Sequence, residues 1–514
     1  MIEENESENC DIIIIGAGMS GVSCAYHLIV ESNYKGKVII LEGRNRVGGR
    51  MVGETIDGQN VELGANWIHG IINNPIYDLA VRYKLIDPSA TDGSSEDGSS
   101  EDESPRMVGL TSAGDLVPEK TIASADKLYY SLLDKCENVY NEIKEGKVSA
   151  DEIINDSVGE WMKTEIDKYL DTLDEQDRIL LSSIFANFMA RETGLSGCHS
   201  MDQVSLPYFG AYEELSGGDG VIPGGYGQLI DCLLDEIRSK LQRDSRPEKF
   251  QLILNHSVTN IHWPGIGSTS SQSTRVTTST GKIYSCAHVV STIPLGVLKV
   301  THVDLFDPPL PQYKSECIQR MGFGVVDKVF IEFNEPLSPK FIDPSLTDCL
   351  TFWLPQDLQS VGWASKIYFI VKVSERCLSV WLTGEEAIAV ETEQMTKVKA
   401  HLVQLIRKIL KAPDLPDPIN LTVTQWHQDP FSRGSYSYIA TGSSVSDIEN
   451  LAQPIYSNPG QEKPDLLFAG EACHPSFFST VHGAFLTGRK AALYLIDSEV
   501  NKSTSESSTG TIVP

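Results

Sequence analysis

The chain is short of positive charge. Its 514 residues carry 42 Lys and Arg against 70 Asp and Glu, a formal net charge of −28. That balance argues against nucleic acid and anionic membrane as partners and favours a cationic ligand, although solubility alone would account for it equally well. Long hydrophobic runs are missing too, since no apolar stretch reaches the roughly 18 to 20 residues of a membrane span. The N-terminus lacks the basic-then-apolar pattern of a secretory signal. The ten cysteines are scattered, with no Cys-x-x-Cys pair and no metal-like spacing, so free thiols in a reducing compartment are expected and no metal site is. The sequons Asn155-Asp-Ser157 and Asn420-Leu-Thr422 then carry no meaning, because glycosylation requires secretion. The last residues, Thr511-Ile512-Val513-Pro514, are not a Ser-Lys-Leu type peroxisomal address. A cytoplasmic protein, with no membrane and no nucleic acid among its partners, is the expectation.

What is present begins at Asp11. Asp11 to Ile15 is a short β-branched run, suited to a strand buried on both faces of a parallel sheet. Gly16, Gly18 and Gly21 follow at once: the first allows a tight strand-to-helix turn, the second lets backbone amides approach a pyrophosphate, and the third lets the helix pack closely. A helix from about Met19 to Glu31 would aim its N-terminal N–H groups at the phosphates. Lys37 to Leu41 reads as the second strand and Glu42 ends it, where a carboxylate can accept both hydroxyls of an adenosine ribose. The stretch is a dinucleotide-binding βαβ unit.

A second glycine turn follows, Arg46-Val47-Gly48-Gly49-Arg50. Such a turn offers more amides and a bidentate charge to a second phosphate or a flavin edge, for which a nicotinamide enzyme has no obvious use. It moves the reading from NAD to FAD. Glu62-Leu-Gly-Ala-Asn-Trp-Ile-His-Gly70 then runs as a strand into a glycine-flanked turn that would bring His69 back beside the cofactor.

With these residues the sequence resembles the flavin amine oxidase superfamily, and in detail its animal polyamine oxidases, the spermine oxidase and N1-acetylpolyamine oxidase group. The resemblance covers nearly everything but the tails and one insert, 87–104, which is so rich in Ser, Asp, Glu and Gly that it reads as a disordered acidic loop. It implies cofactor contacts from Gly16, Gly18, Gly21, Glu42, Arg46, Gly49, Arg50, Val258, Glu471, Thr480 and Val481. It also implies substrate contacts from Trp67, Tyr436 and Thr480, and catalytic roles for Lys328 and His69. A lysine opening a strand, as Lys328 does here, is ordinarily a solvated edge charge, so its role rests on the resemblance. The FAD is expected to be noncovalent, because Arg433 to Tyr438 holds no cysteine where monoamine oxidases attach theirs.

Between these points the pattern is helical from Ala123 to Leu195, and again from Gln228 to Leu241. Leu252 to Ile261 and His288 to Pro294 read as strands. From His302 to Gln425 the chain is β-rich, with one helix at Thr392 to Leu410. A strand at Asp465 leads to Glu471, and a long helix opens after Ser479. The expected fold is α/β: a Rossmann-like FAD-binding domain from 10–85, 222–300 and 428–498, interleaved with an α+β substrate-binding domain from 106–221 and 301–427, and a flexible tail at 499–514. The implied activity is oxidation of a secondary amine of spermine or an N1-acetylated polyamine by O₂, in a monomer whose other partners are small molecules. The alternatives are another flavin amine oxidase, with a monoamine or amino-acid substrate, and a non-catalytic FAD- or polyamine-binding protein.

Overall fold

A computed structural model describes residues 7–88, 106–153, 156–268, 273–343 and 346–496. The acidic insert, from residue 89 onward, and the tail at 499–514 lie outside the described residues.

Ile12–Ile15 is the centre of a five-stranded parallel sheet ordered Leu466–Phe468, His288–Ser291, Ile12–Ile15, Val38–Leu41, Phe250–Ile253. Its four isoleucines are buried, as an all-apolar strand covered on both faces must be. The chain leaves the strand at Gly16 with φ 105°, a conformation that favours glycine, and a Cβ there would lie 2.6 Å from Thr292 Oγ1. The helix Met19–Tyr26 follows and continues as a π turn over His27–Glu31. Three helices stack on this face, Met19–Tyr26, Gly227–Arg243 and Val481–Leu495. The first and last touch backbone to backbone: a side chain at Gly488 would collide with the carbonyl of Ser20, and Ser23 Oγ donates to the carbonyl of Phe485 at 2.7 Å.

The expected strand Leu252 to Ile261 is in fact two strands in different sheets. Phe250–Ile253 edges the parallel sheet, whereas Val258–His262 pairs antiparallel with Thr274–Thr278 in a second five-stranded sheet. The break is at Asn255, φ 57°, where the chain turns to donate from Asn255 N to Arg44 O and from His256 N to Glu42 O. Asparagine tolerates that left-handed conformation better than most residues.

The other large sheet has six strands, ordered Asn420–Val423, Val326–Glu332, Cys377–Thr383, Phe369–Ser374, Leu346–Phe352, Arg106–Thr111, antiparallel except for the last pair. The expected helical block resolves into Glu119–Lys144, Val158–Leu170 and Glu175–Ser196. Buried Asn187 ties the last of these to the sheet by donating to the carbonyls of Thr351 and Tyr368 at 2.8 and 2.7 Å. Two expectations need correction. The β-rich region does not begin at His302, which lies in the helix Leu295–Leu305. The helix expected at Thr392 to Leu410 is Met395–Ile409, opening three residues later because Glu393 and Gln394 are extended, with ψ 153° and 125°, and it is not the one helix of the stretch, since Gln312–Arg320, Pro355–Val361 and Gly384–Thr392 are helical too.

The architecture is a mixed α/β one built around a Rossmann-like parallel sheet. Gly488→Val would force apart the two helices behind that sheet; overpacking of this kind costs about 1–3 kcal/mol or more. The expected outcome is a lower Tm, measured by thermal unfolding, together with weaker cofactor retention.

Candidate active site

One cavity of about 1290 Å³ runs between the two large sheets. Pockets for single small molecules are commonly about 300–1,000 Å³, so this one has room for a dinucleotide and a further ligand.

Its first region is the βαβ unit. Gly18, the N-cap of Met19–Tyr26, provides no side-chain bond, so the amides of the first helical turn are left for a ligand. Ser20 borders the same space, with its buried hydroxyl unpartnered. The second glycine turn rests on the first: Gly48 N donates to Ala17 O at 2.9 Å, and a Cβ at Gly49 would come within 3.4 Å of Gly18 Cα. Glu42 is buried and held by Ala17 N at 2.8 Å and Arg44 N at 2.9 Å, one amide on each carboxylate oxygen. Each oxygen keeps acceptor capacity for a ribose hydroxyl. Val258 also borders this region.

Two of the proposed cofactor contacts act differently. Gly21 does not line the cavity; a side chain there would collide with the carbonyl of Gly16, so its role is to let helix and turn close together. Arg46 does not line it either. Its guanidinium folds back to donate to Val47 O at 3.2 Å and Gly49 O at 2.8 Å, bracing the turn, whereas Arg44, like Arg50, borders the cavity. Sequence spacing could not tell the two arginines apart. Arg44 reaches Asp429 and Ser432, 385 and 388 residues further along.

The second region joins Glu471 to the helix Val481–Leu495. Glu471 accepts from Arg50 Nη1 at 2.9 Å, Ser437 Oγ at 2.6 Å and Ser479 N at 3.0 Å, so it neutralises Arg50 and ties three segments together. Thr480 caps the helix: its hydroxyl accepts from Gly483 N at 2.9 Å and donates to Phe477 O at 2.7 Å. That hydroxyl is committed to the cap, and the first-turn amides at Val481 border the cavity.

The third region holds Lys328 and the aromatics. Lys328 is no edge charge. It lies inside Val326–Glu332, paired on both sides, and is 4% exposed. Its Nζ donates to the carbonyls of Glu62 (2.7 Å) and Gly64 (2.9 Å) and sits 4.5 Å from the ring centroid of Trp381. Burial pulls the ammonium down to about 7, only partly opposed by the Glu62 carboxylate. Trp67 lies 5.4 Å from Trp381 and 6.4 Å from the ring of His69. Tyr436 borders the cavity with its hydroxyl donated to the carbonyl of Gly194.

A fourth region was not anticipated. Asp134, Glu137, Glu192 and Glu214 border the cavity with a single cation, Arg191, among them. Glu192 is buried, one of its oxygens has no partner, and desolvation lifts its carboxyl to about 7. Burial, with Glu214 and Asp134 nearby, also raises Glu137. The only signal in the sequence was a glutamate within the buried last turns of Glu175–Ser196.

The model of the family of flavin containing amine oxidoreductases aligns over residues 19–496, from the first helix after the glycine turn through the second glycine turn to the last helix. The chain belongs to this family. It is 33% identical over 506 residues to the peroxisomal N(1)-acetyl-spermine/spermidine oxidase of Bos taurus, covering 94% of this chain and 93% of that one. It is 33% identical over 508 residues to the Homo sapiens protein of the same name, covering 94% of each. A solved putrescine oxidase, wild type with putrescine bound, superposes with a TM-score of 0.65 over 96% of this chain and all of that one; at 17% identity this speaks for the fold. As a member of this family the protein is an FAD-dependent oxidoreductase acting on amines. The uncapped helix, the orphan Ser20 hydroxyl and Glu42 fit that cofactor.

The buried lysine has a pH signature. Its folded-state pKa lies below its unfolded one, so between about pH 7 and 10.5 the unfolded chain takes up a proton there that the folded protein refuses. Wild-type stability should therefore rise relative to Lys328→Met as pH climbs from 7 to 10, by about 1.4 kcal/mol for each unit at most. Tm measured for both proteins across that range checks it; a difference that does not vary with pH would mean the ammonium stays charged.

Proposed function

We propose that the protein is a polyamine oxidase that acts on a secondary amine of spermine or of an N1-acetylated polyamine. The observation that carries this reading is the acidic flank of the cavity, where Glu192 is buried with an unpaired oxygen beside Glu137, Glu214 and Asp134. Unpaired buried carboxylates are costly unless a cation completes them, and a polyamine brings several. The names of the bovine and human relatives support the same substrate class.

Bound FAD would supply the redox chemistry, accepting a hydride from the carbon beside the amine nitrogen and returning the electrons to O₂ as H₂O₂. Water then hydrolyses the imine to an aminoaldehyde and a shorter polyamine. The chain's own residues align and hold the substrate. Trp67, Trp381 and Tyr436 offer ring faces to a cationic methylene chain, and the carboxylates hold its distal ammonium groups. Lys328 in its protonated form keeps one N–H after its two carbonyl bonds and can orient a water. Noncovalent FAD is supported by the lining, which includes no cysteine among the described residues. The proposed division into FAD-binding segments 10–85, 222–300 and 428–498 and substrate-binding segments 106–221 and 301–427 is supported by the parallel sheet and the six-stranded sheet, whose strands come from those respective stretches, while Phe306–Asp307 pairs across the boundary with Val258–His262.

The test is a peroxide assay across spermine, spermidine, their N1-acetyl forms and benzylamine, on yellow protein whose FAD is released by acid precipitation. Turnover is expected with polyamines and not with benzylamine; the reverse order would end the proposal. Glu192→Gln should lower kcat/KM for the preferred polyamine by about 10- to 100-fold, the worth of a hydrogen bond to a charged group. The same ratio in wild type should fall as salt rises, since the Debye length shortens to about 8 Å near 0.15 M.

A further inference from the structure

The backbone at His69 is held from three directions. Ile68 exchanges two hydrogen bonds with Gly220, Ile68 N donating at 2.7 Å and Gly220 N at 2.9 Å. Gly70, φ 65°, donates its N–H to Asp219 Oδ1 at 3.1 Å. Fully buried Asn74 donates Nδ2 to the carbonyls of His69 (3.0 Å) and Gly70 (2.9 Å), while its Oδ1 caps the next helix through Ile76 N. With the backbone fixed, the imidazole keeps only its own rotation.

Asp219 removes that freedom as well. Its Oδ2 lies 3.2 Å from His69 Nδ1, while Nε2 makes no bond to the described protein and the ring borders the cavity. The carboxylate comes from 150 residues away on the turn Ser216-Gly-Gly-Asp-Gly220. Gly217 and Gly218 have φ 96° and 68°, and a Cβ at Gly217 would press on Ile72 and Ile71 at 2.7 and 2.9 Å, so glycine is required for the turn to close over that pair.

Stability does not explain the pair. The two side chains are 42% and 50% exposed, and ion pairs in such settings contribute about 0–1 kcal/mol. Orientation does. An ionised carboxylate only accepts, so the hydrogen must sit on Nδ1 and the lone pair on Nε2.

We infer that Asp219 is a positioning residue: it holds His69 in the Nδ1–H tautomer, with Nε2 ready to take the proton of the substrate's secondary ammonium. The inference rests on the polyamine oxidase reading above. The step balances: R₂NH₂⁺ passes one proton to Nε2, leaving R₂NH with the nitrogen lone pair that hydride departure needs and an imidazolium beside the Asp219 carboxylate. His482, the neighbouring imidazole, does not compete, since burial and the charges of His69 and His474 hold it near 4.

Two measurements on the full-length, FAD-loaded enzyme test this. The first is the rate constant of flavin reduction by spermine under anaerobic rapid mixing, for wild type, Asp219→Ala, His69→Ala and the double variant. Asp219→Ala should slow reduction about 10-fold or more, part of the ~10²–10⁴ that a placed proton acceptor contributes, and should slow it no further in the His69→Ala background. The same loss in both backgrounds would mark Asp219 as structural and overturn the inference, as would a wild-type rate in Asp219→Ala. The second is the ¹⁵N signature of the His69 ring, assigned by its disappearance in His69→Ala. It should report Nδ1–H in wild type and lose that preference in Asp219→Ala and in the isosteric Asp219→Asn; an unchanged tautomer in both variants would overturn the inference. Absence of flavin reduction by every polyamine in wild type would instead defeat the substrate reading, while the ring spectra still judge the pair.

Discussion

A buried helix N-terminus that no side chain caps is expensive unless something outside the chain completes it, and Met19–Tyr26 is built that way. Gly16 turns the chain into it, Gly21 lets it lie against that turn, and Gly488 lets the last helix of the chain close on its far side. Gly21 and Gly488 are explained by backbone contacts that a Cβ would forbid, and Gly16 by its φ of 105°. The result is a set of N–H groups aimed at a space large enough for a dinucleotide, with Glu42 at one end and the capped helix of Thr480 at the other. The fold presents one amide-rich wall and leaves the opposite wall to the six-stranded sheet.

That second wall has a different electrostatic character. Lys328 and Glu192 are both desolvated, and burial draws the amine and the acid toward about 7 from opposite sides. Each is therefore near the midpoint of its titration around pH 7, and each can be moved by a neighbouring charge. An arriving ammonium restores the carboxylate of Glu192. Aromatic rings between them, Trp67, Trp381 and Tyr436, lower the polarity without supplying a competing charge. Such a site suits the proposed substrate, with a cation at its acidic end and a neutral amine at its reactive end, the form that the proposed oxidation requires.

Much of the chemistry was readable before any coordinates. The βαβ unit is contiguous: strand, glycines, helix and Glu42 fall within about thirty residues, and their hydrogen bonds close locally, as that between Glu42 and Ala17 does. Helical periodicity likewise marked the block from Ala123 to Leu195 that holds the three helices beside the six-stranded sheet, because an apolar stripe is a local property of the sequence. Boundaries were less secure. The strand break at Asn255 and the helix start at Met395 depend on one or two residues adopting conformations that hydrophobic pattern does not encode.

The sequence by itself determined the cofactor class and the Rossmann-like fold, since these follow from short-range spacing of glycines and one carboxylate, and its motifs carried the resemblance to the family. Tertiary structure alone decided that Arg46 turns away from the cavity, that Lys328 is buried and its ammonium lowered by desolvation, that Glu192 is an unpaired carboxylate on the cavity wall, and that Asp219 meets His69. Lys328 finds its acceptors 266 and 264 residues away, and Asp219 lies 150 residues from its histidine. Contacts over such separations are set by how sheets and helices pack; a residue's degree of burial, and with it the charge it can carry, is a property of its neighbours in space.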